Sequence, residues 1–188
     1  MKCTFLYPAI LASSVLLYST SAQASTMPKA ETDHASLVIA LGPSFSYDAL
    51  IAPRMTLGFS LGLPFLLEGT KNISGRYDVR LNYKFLQEGP FSLSGILGVW
   101  GSSRFDDFSK SRWAGLELGV GMAYRFTPKL TGRLNIVPGL AYPFGPGKFT
   151  DYYAPAGGAE LAYRFTPTLE GTIGYNGQGD VLGLRFLI

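Results

Sequence analysis

Within the stretch 75–86, residues 76–85 alternate without exception between polar and apolar side chains. Successive side chains of a β-strand point to opposite faces, so a period of two predicts a strand with one apolar and one polar face. The apolar positions are Tyr77, Val79, Leu81, Tyr83 and Phe85, and the polar positions are Arg76, Asp78, Arg80, Asn82 and Lys84.

The same alternation returns along the chain and predicts an all-β protein. Short connections at residues 48–52, 87–90, 127–129 and 166–168 alternate with longer ones at residues 67–74, 101–111 and 143–156. This alternation of short turns and long loops is typical of outer-membrane β-barrels, whose antiparallel strands run up and down. The alternating stretches are residues 36–47, 54–65, 75–86, 91–100, 112–126, 130–142, 157–165, 169–175 and 182–186.

The number of strands is predicted to be eight to ten. Bacterial single-chain barrels have an even number of strands, so nine stretches must resolve to eight or to ten. Eight results if residues 169–188 form one bulged strand, and ten results if residues 25–35 contain a further strand. The apolar positions change from odd to even between Tyr175 and Leu182, as either a tight turn or a bulge would produce.

A secretory signal peptide precedes the strands. Lys2 is followed by a mostly apolar run over residues 5–17 and then by the small–x–small sequence of residues 22–24, after which we expect cleavage. The apolar run is shorter than the roughly 20 residues that a membrane-spanning helix needs. We therefore expect a signal peptide at residues 1–24.

Removal of the signal peptide changes the inventory of reactive and charged groups. The chain's one cysteine, Cys3, leaves with it, and loss of Lys2 lowers the formal net charge from +3 to +2. So small a charge, without a basic stripe, does not indicate a nucleic-acid partner. Residues 25–35 are then a polar N-terminal lead, and residues 36–188 form the barrel domain.

The polar face of the strands is expected to line the barrel lumen, and the apolar face to meet lipid. The polar face combines many arginines with small residues and carries only one lysine, which suits a tight polar interior. Apolar stripes of about 9–13 residues match a tilted membrane-spanning strand. The alternative is a soluble secreted β-barrel that binds a ligand in an apolar core. The predicted lumen charges are Arg54, Arg76, Asp78, Arg80, Lys84, Glu117, Arg125, Arg133, Glu160, Arg164, Glu170 and Arg185.

Two further features support the membrane barrel. Ala-Tyr-Arg-Phe-Thr-Pro occurs at residues 123–128 and again at residues 162–167, each time ending a strand in an aromatic pair and a turn. Aromatic residues cluster beside the short turns, as an interfacial girdle requires. The predicted girdle is Tyr47, Phe85, Phe91, Phe126 and Phe165.

With these strands, turns and the C-terminal stretch 182–188, residues 36–188 resemble the small outer-membrane β-barrel proteins of diderm bacteria, the group that includes outer membrane proteins A and X. The resemblance implies a closed antiparallel up-and-down transmembrane barrel in the outer membrane, in contact with its lipid. It also implies that the barrel-assembly machinery reads the C-terminal strand. Members usually end in an aromatic residue, whereas this chain ends in Ile188, with Phe186 on the same face.

The function expected from these patterns is non-enzymatic, with a structural or surface-interaction role and a lumen filled by charged side chains. The alternatives are a narrow anion-favouring channel and a lipid-modifying barrel enzyme. His34, the only histidine, precedes the first predicted strand, and no cofactor or metal motif occurs. The expected contacts for an external partner, all in the longer loops, are Phe105, Phe108, Phe149, Tyr152 and Tyr153.

Overall fold

The fold is a closed antiparallel β-barrel of ten wall strands. A computed structural model describes residues 27–41, 44–62, 74–104, 113–143, 150–153, 156–176 and 179–188. These residues are all-β and contain no helix. Within them, no helical segment has the length and hydropathy needed to cross a bilayer.

Twelve strand segments build the ten wall strands. On either side of Val137, β7 and β8 pair with β6 in one continuous register, so they form a single wall strand. β10 pairs with β7 and β9 pairs with β8, so β9 and β10 also form a single wall strand. Pairing of β1 with β12 closes the barrel. The segments are β1 (Ser36–Ala40), β2 (Ser44–Ala52), β3 (Met55–Gly62), β4 (Ser74–Glu88), β5 (Phe91–Arg104), β6 (Trp113–Arg125), β7 (Leu130–Ile136), β8 (Pro138–Pro143), β9 (Thr150–Tyr153), β10 (Gly158–Thr166), β11 (Leu169–Asn176) and β12 (Gly179–Leu187).

The tenth strand comes from a place that the alternation conceals. The stretch 36–47 is two strands, β1 and β2, and residues 48–52, predicted as a connection, belong to β2. Ala40 pairs with Ser44, so three residues connect the strands and the apolar residues keep the odd positions on both sides. Residues 169–188 are two strands, and residues 27–35 contain none.

The two ends of the barrel differ. One end, here called the short-turn end, holds the connections 53–54, 89–90, 126–129 and 167–168 together with the start of β1 and the end of β12. The opposite end, the loop end, holds the connections at residues 63–73, 105–112 and 144–149, which lie outside the described residues.

The predicted external loops are shorter than the sequence suggests. Tyr152 and Tyr153 lie in β9, which pairs with β8 and extends the wall, so they are not loop residues as predicted. Residues 101–104 belong to β5. Phe105, Phe108 and Phe149 lie outside the described residues.

Burial is inverted relative to a water-soluble β-protein. On β5, the side chain of Leu97 is 55% exposed on the outer face, whereas Ser94 is completely buried inside. Among the described residues, 22 polar or charged residues are buried against only ten hydrophobic ones. Ile96, Val137 and Ala156 form a small apolar cluster within this largely polar interior.

Candidate functional site

The lumen holds a first charged cluster around Arg80 on β4. The Arg80 guanidinium lies 2.7 Å, Nη1 to Oδ1, from Asp78 and 3.2 Å, Nη2 to Oδ1, from Asp48 on β2. All three side chains are buried. Ser60 donates a hydrogen bond to the other carboxylate oxygen of Asp78, and Ser36 Oγ lies 3.4 Å from Asp48 Oδ2. The strands thus bring together a buried arginine and two carboxylates whose remaining oxygens also have partners.

Glycines make room for this cluster. Gly58 and Gly98 are the cross-strand partners of Arg80 on its two sides. A Cβ at Gly58 would lie 2.2 Å from Asp48 Oδ1, and one at Gly98 would lie 2.6 Å from Glu117 Oε1. Real Cβ atoms do not approach so closely, so a side chain at either place would displace these charged groups from their present positions.

A second charged cluster surrounds Arg133 on β7. Its Nη1 lies 2.8 Å from Glu160 Oε1 on β10, and its Nη2 lies 3.0 Å from Glu170 Oε2 on β11. Arg185 Nη1 on β12 lies 2.7 Å from the same Glu160 oxygen. Arg164 Nη2 lies 2.8 Å from Glu170 Oε1, with the Arg164 side chain 38% exposed at the short-turn end. Charged hydrogen bonds therefore connect four neighbouring wall strands on their lumen side.

The N-terminal segment, residues 27–35, runs between the short-turn end and the barrel lumen. Met27, Pro28, Lys29 and Ala30 are all buried. The sequence predicts a polar lead here and gives it no place in the lumen, so this position is new information from the structure. His34, by contrast, is exposed near the short-turn end, one residue before Ala35.

Wall side chains bind the backbone of this segment. Arg185 Nη2 donates a hydrogen bond of 2.9 Å to the carbonyl oxygen of Met27, and Asn135 Nδ2 donates one of 3.0 Å to that of Pro28. Asn82 Nδ2 donates to the carbonyl of Lys29. Three consecutive carbonyls of the segment are thus held by three different wall strands.

Two acidic side chains of the segment complete the lumen's ion pairs. Glu31 meets Arg133 through two hydrogen bonds, 3.0 Å from Nε to Oε2 and 3.1 Å from Nη2 to Oε1. Asp33 pairs with Lys84 on β4. A bidentate arginine–carboxylate contact is both strong and geometrically specific, so it fixes the position of the segment as well as stabilising it.

The charges around the N-terminal segment shift the titration of its own groups. Burial, and then the charges of Arg185 and Arg133, lower the pKa of Lys29 to about 8. Burial alone would raise the pKa of Glu31, but the charge and hydrogen bonds of Arg133 outweigh it and lower this pKa to about 2. Glu31 is therefore ionised, and firmly paired, at neutral pH.

Nine of the twelve predicted lumen charges lie at the lumen. Two predictions are wrong: Arg54 is exposed in the β2–β3 turn with a φ of 67°, and Arg125 is exposed as the last residue of β6. Both stand beyond the rim, because the strands end there and the side chains reach water. Nothing is described of the Arg76 side chain. The residues found at the lumen are Asp78, Arg80, Lys84, Glu117, Arg133, Glu160, Arg164, Glu170 and Arg185.

Sequence reasoning missed Asp48 and the two acids of the N-terminal segment, and these change the charge balance. Asp48 continues the even-numbered, inward-facing positions of Ser44 and Ser46 on β2. The prediction of a connection at residues 48–52 concealed this continuation. The expected excess of basic charge, and with it the basis for anion preference, disappears within the described wall. Five bases, Arg80, Lys84, Arg133, Arg164 and Arg185, face five acids, Asp48, Asp78, Glu117, Glu160 and Glu170.

The predicted girdle residues lie on the outer surface toward the short-turn end. Tyr47, Phe85, Phe126 and Phe165 are exposed, and Phe91 is half-exposed. Phe85 and Phe165 occupy register shifts next to the turns.

The two sequence repeats build the same local structure. The Tyr124 and Phe126 rings lie edge to face at 5.1 Å, and the Tyr163 and Phe165 rings do so at 5.3 Å. In each repeat the phenylalanine ring also lies against a glycine of the next strand, Gly132 or Gly171.

The arrangement suits a lumen that is filled by charged side chains and stabilised by their ion pairs. Within the described ranges, no three His, Cys, Asp or Glu side chains are placed to hold a metal ion. The chain matches no protein-family model, and no curated protein matches it. The lumen geometry is therefore what carries a functional interpretation.

Proposed function

We propose that this chain is a non-enzymatic integral β-barrel of a bacterial outer membrane, with a closed lumen and a structural or surface-interaction role. It would be exported with a signal peptide that is cleaved after residue 24. The observation that carries the proposal is the inverted burial: a charged, hydrogen-bonded interior inside a wall with an apolar outer face. The small outer-membrane barrels that the sequence resembles have this design.

The closed wall supports insertion in lipid. In a bilayer every backbone amide must be satisfied internally, and closed barrels achieve this because they have no free edge. The β1–β12 pairing removes the edge here. A polar interior also disfavours the soluble alternative, because a hydrophobic ligand would find charged residues such as Arg80, Glu117 and Arg185 inside the barrel.

Site-directed accessibility tests this proposal directly. Residues 25–188 contain no cysteine, so Leu97→Cys and Ser94→Cys each introduce a single thiol on β5, one on each face. In lipid vesicles, a fluorophore at position 97 should be quenched by brominated acyl chains, and one at position 94 should not. Equal quenching at both positions, or release of the protein from membranes by alkaline carbonate, would contradict membrane insertion.

A charge on the outer face should be costly if that face meets hydrocarbon. Leu97 lies at the middle of the 14-residue strand β5. Arginine near the bilayer midplane destabilises outer-membrane barrels by roughly 2–4 kcal/mol, so Leu97→Arg should lower the free energy of unfolding in vesicles by that amount. Leu97→Met is the matched control and should have a small effect. An equally small effect of Leu97→Arg would argue for a water-facing wall.

The surface role is assigned to the loop end. We propose that this end faces outward, that Phe105, Phe108 and Phe149 contact an external partner, and that β12 is read by the barrel-assembly machinery. Short turns on the inner side and longer loops outside are the usual arrangement. Protease added to intact cells should cut within residues 105–112 or 144–149 and should spare the short-turn end. Cleavage only after cell lysis would reverse the orientation.

A further inference from the structure

The barrel interior contains an occupant that is not part of its wall. Residues 27–35 form no strand, yet the first four are buried within the lumen. An eight-stranded barrel is just wide enough to be filled by its own side chains, and the diameter grows with strand number. A ten-stranded wall therefore has interior space beyond what its own side chains fill, and the N-terminal segment lies in it.

The wall contacts this segment as a binding site contacts a peptide. Arg185, Asn135 and Asn82 donate to three consecutive carbonyls, and Arg133 receives the Glu31 carboxylate in a bidentate contact. Backbone carbonyls and one acidic side chain are thus the recognised groups. Such a site accepts a peptide whose acidic residue follows the last bound carbonyl by two positions.

We propose that residues 27–35 are a tethered peptide plug in this site, and that their release toward the short-turn end opens the barrel to ions. The proposal deepens, and rests on, the membrane-barrel function proposed above. The plug joins β1 at the short-turn end, so this is the end at which it can leave. The described backbone bond between plug and wall, from Ile188 N to Ala35 O at 3.0 Å, lies at that end too.

Release leaves both arginine clusters of the wall with carboxylate partners. Without Glu31, Arg133 keeps Glu160 and Glu170, and Arg185 keeps Glu160. The Arg80 cluster has no described ion pair or hydrogen bond with the plug. Buried ions are costly when unpaired. Lys84 loses its ion pair with Asp33 and keeps a hydrogen bond of 2.7 Å from Nζ to Gln87 Oε1. The ion pairs within the described wall survive in both states, so the cost of release is confined to the contacts that the plug itself makes.

Charge reversal in the full mature chain tests the plug. Glu31→Arg places a cation against Arg133 and Lys29 and should expel the plug. At neutral pH we expect discrete conductance steps in planar bilayers for this variant and none for the wild-type protein. Glu88→Arg is the matched control, because Glu88 makes the same charge change at an exposed site at the short-turn end, and it should not conduct.

A thiol reports the position of the plug independently of conductance. Ala30 is completely buried, and Ala30→Cys supplies the only thiol of the mature chain. A membrane-impermeant maleimide should react with it slowly in the otherwise wild-type protein. Combining it with Glu31→Arg should speed the reaction by about tenfold or more, because losing charge-assisted hydrogen bonds shifts an equilibrium by at least that factor.

A peptide added in trans tests whether the lumen is a binding site. Synthetic peptide of residues 25–35 should close the conductance of the Glu31→Arg protein when it is added on the side of the short-turn end. The same peptide carrying Glu31→Arg should not close it. If the two peptides act alike, the carboxylate–Arg133 contact does not define the site and the proposal is wrong.

The remaining outcomes separate the plug from the membrane function. Suppose that the protein stays in carbonate-washed membranes but the thiol at position 30 reacts equally fast with and without Glu31→Arg. This result would overturn the plug proposal and leave the membrane-barrel proposal standing. A membrane-inserted Glu31→Arg protein that reacts rapidly yet never conducts would also overturn the plug proposal. A protein that carbonate releases from the membrane would instead overturn the proposed function.

Discussion

Arg133 holds three carboxylates from three different parts of the chain. Its guanidinium contacts Glu31, Glu160 and Glu170, as only a planar fork with five donors can. The alternation of β7 predicts that Arg133 points inward. It does not predict Glu31, which is 102 residues away in sequence and lies in a segment whose polarity is equally typical of a solvated lead.

The first prediction concerns this arginine. Arg133→Met removes the cation and leaves three carboxylates in a buried site, and breaking such a network is expected to lower the free energy of unfolding by about 3–5 kcal/mol. Arg125→Met is the control, since Arg125 is exposed on the adjacent strand, and its effect should stay within about 0.5 kcal/mol. Urea titrations of the protein in lipid vesicles measure both. Similar values for the two variants would mean that the lumen network is not stabilising.

Two glycines of β5 give a second prediction. A Cβ at Gly98 would lie 2.7 Å from the backbone oxygen of Val79, whereas a Cβ at Gly95 would meet nothing within 4 Å. Gly98→Ala should therefore destabilise the barrel by about 1–3 kcal/mol, as overpacking does, and Gly95→Ala should not destabilise it. The same urea titrations compare the pair. Equal effects would show that the lumen can move to accept the methyl group.

At the scale of strands, side-chain alternation predicts most of the wall. It fails to separate two successive strands when the apolar residues of both occupy odd-numbered positions. The three-residue connection between Ala40 and Ser44 keeps the odd positions apolar, so β1 and β2 look like one strand. The two-residue connection between Asn176 and Gly179 reverses parity, so β11 and β12 are visible as separate strands. The sequence therefore shows a connection by parity only when it contains an even number of residues, unless a bulge intervenes.

The repeated aromatic turn gives a prediction at the same scale. Beyond the six identical residues, each copy continues to a glycine, Gly132 or Gly171, which lies under the phenylalanine ring. The glycine is present at the same place in both copies of the sequence, but its role becomes clear only from the contact between neighbouring strands. A double-mutant cycle of Tyr163→Leu and Phe165→Leu should give a coupling energy of about 0.5–1.5 kcal/mol. A control cycle of Phe165→Leu with the distant Leu97→Met should be additive within about 0.5 kcal/mol.

At the scale of the whole molecule, the fold class and the polarity of the two faces follow from the sequence, whereas the contents of the lumen do not. Side-chain alternation is a local property, so it specifies which residues of Leu130–Ile136 face inward. What fills a closed barrel depends on its diameter and on a chain segment with no periodicity of its own. The plug is therefore visible only after ten strands close around it.

The plug should respond to acid, because seating it alters the pKa of Glu31. The pKa falls from 4.5 to about 2 when the plug is seated, next to Arg133 and Lys29 and near Glu160 and Glu170. The lowered pKa stabilises the seated plug by roughly 3 kcal/mol above pH 4.5. This stabilisation is lost as the pH falls from 4.5 toward 2. Lys29 has the opposite effect: its lowered pKa disfavours seating below about 8, and this penalty fades as the pH rises from about 8 to 10.5.

The acid window thus separates Glu31 from Lys29, because Lys29 is fully protonated there in both states. Channel openings of the wild-type protein in planar bilayers should become more frequent as the pH falls from 4.5 toward 2. Glu31→Gln keeps the shape of the side chain but does not titrate, so its openings should already be frequent at neutral pH. The ratio of its opening frequency to that of the wild-type protein should then shrink across the same window. A ratio that stays constant with pH would show that Glu31 does not control the plug.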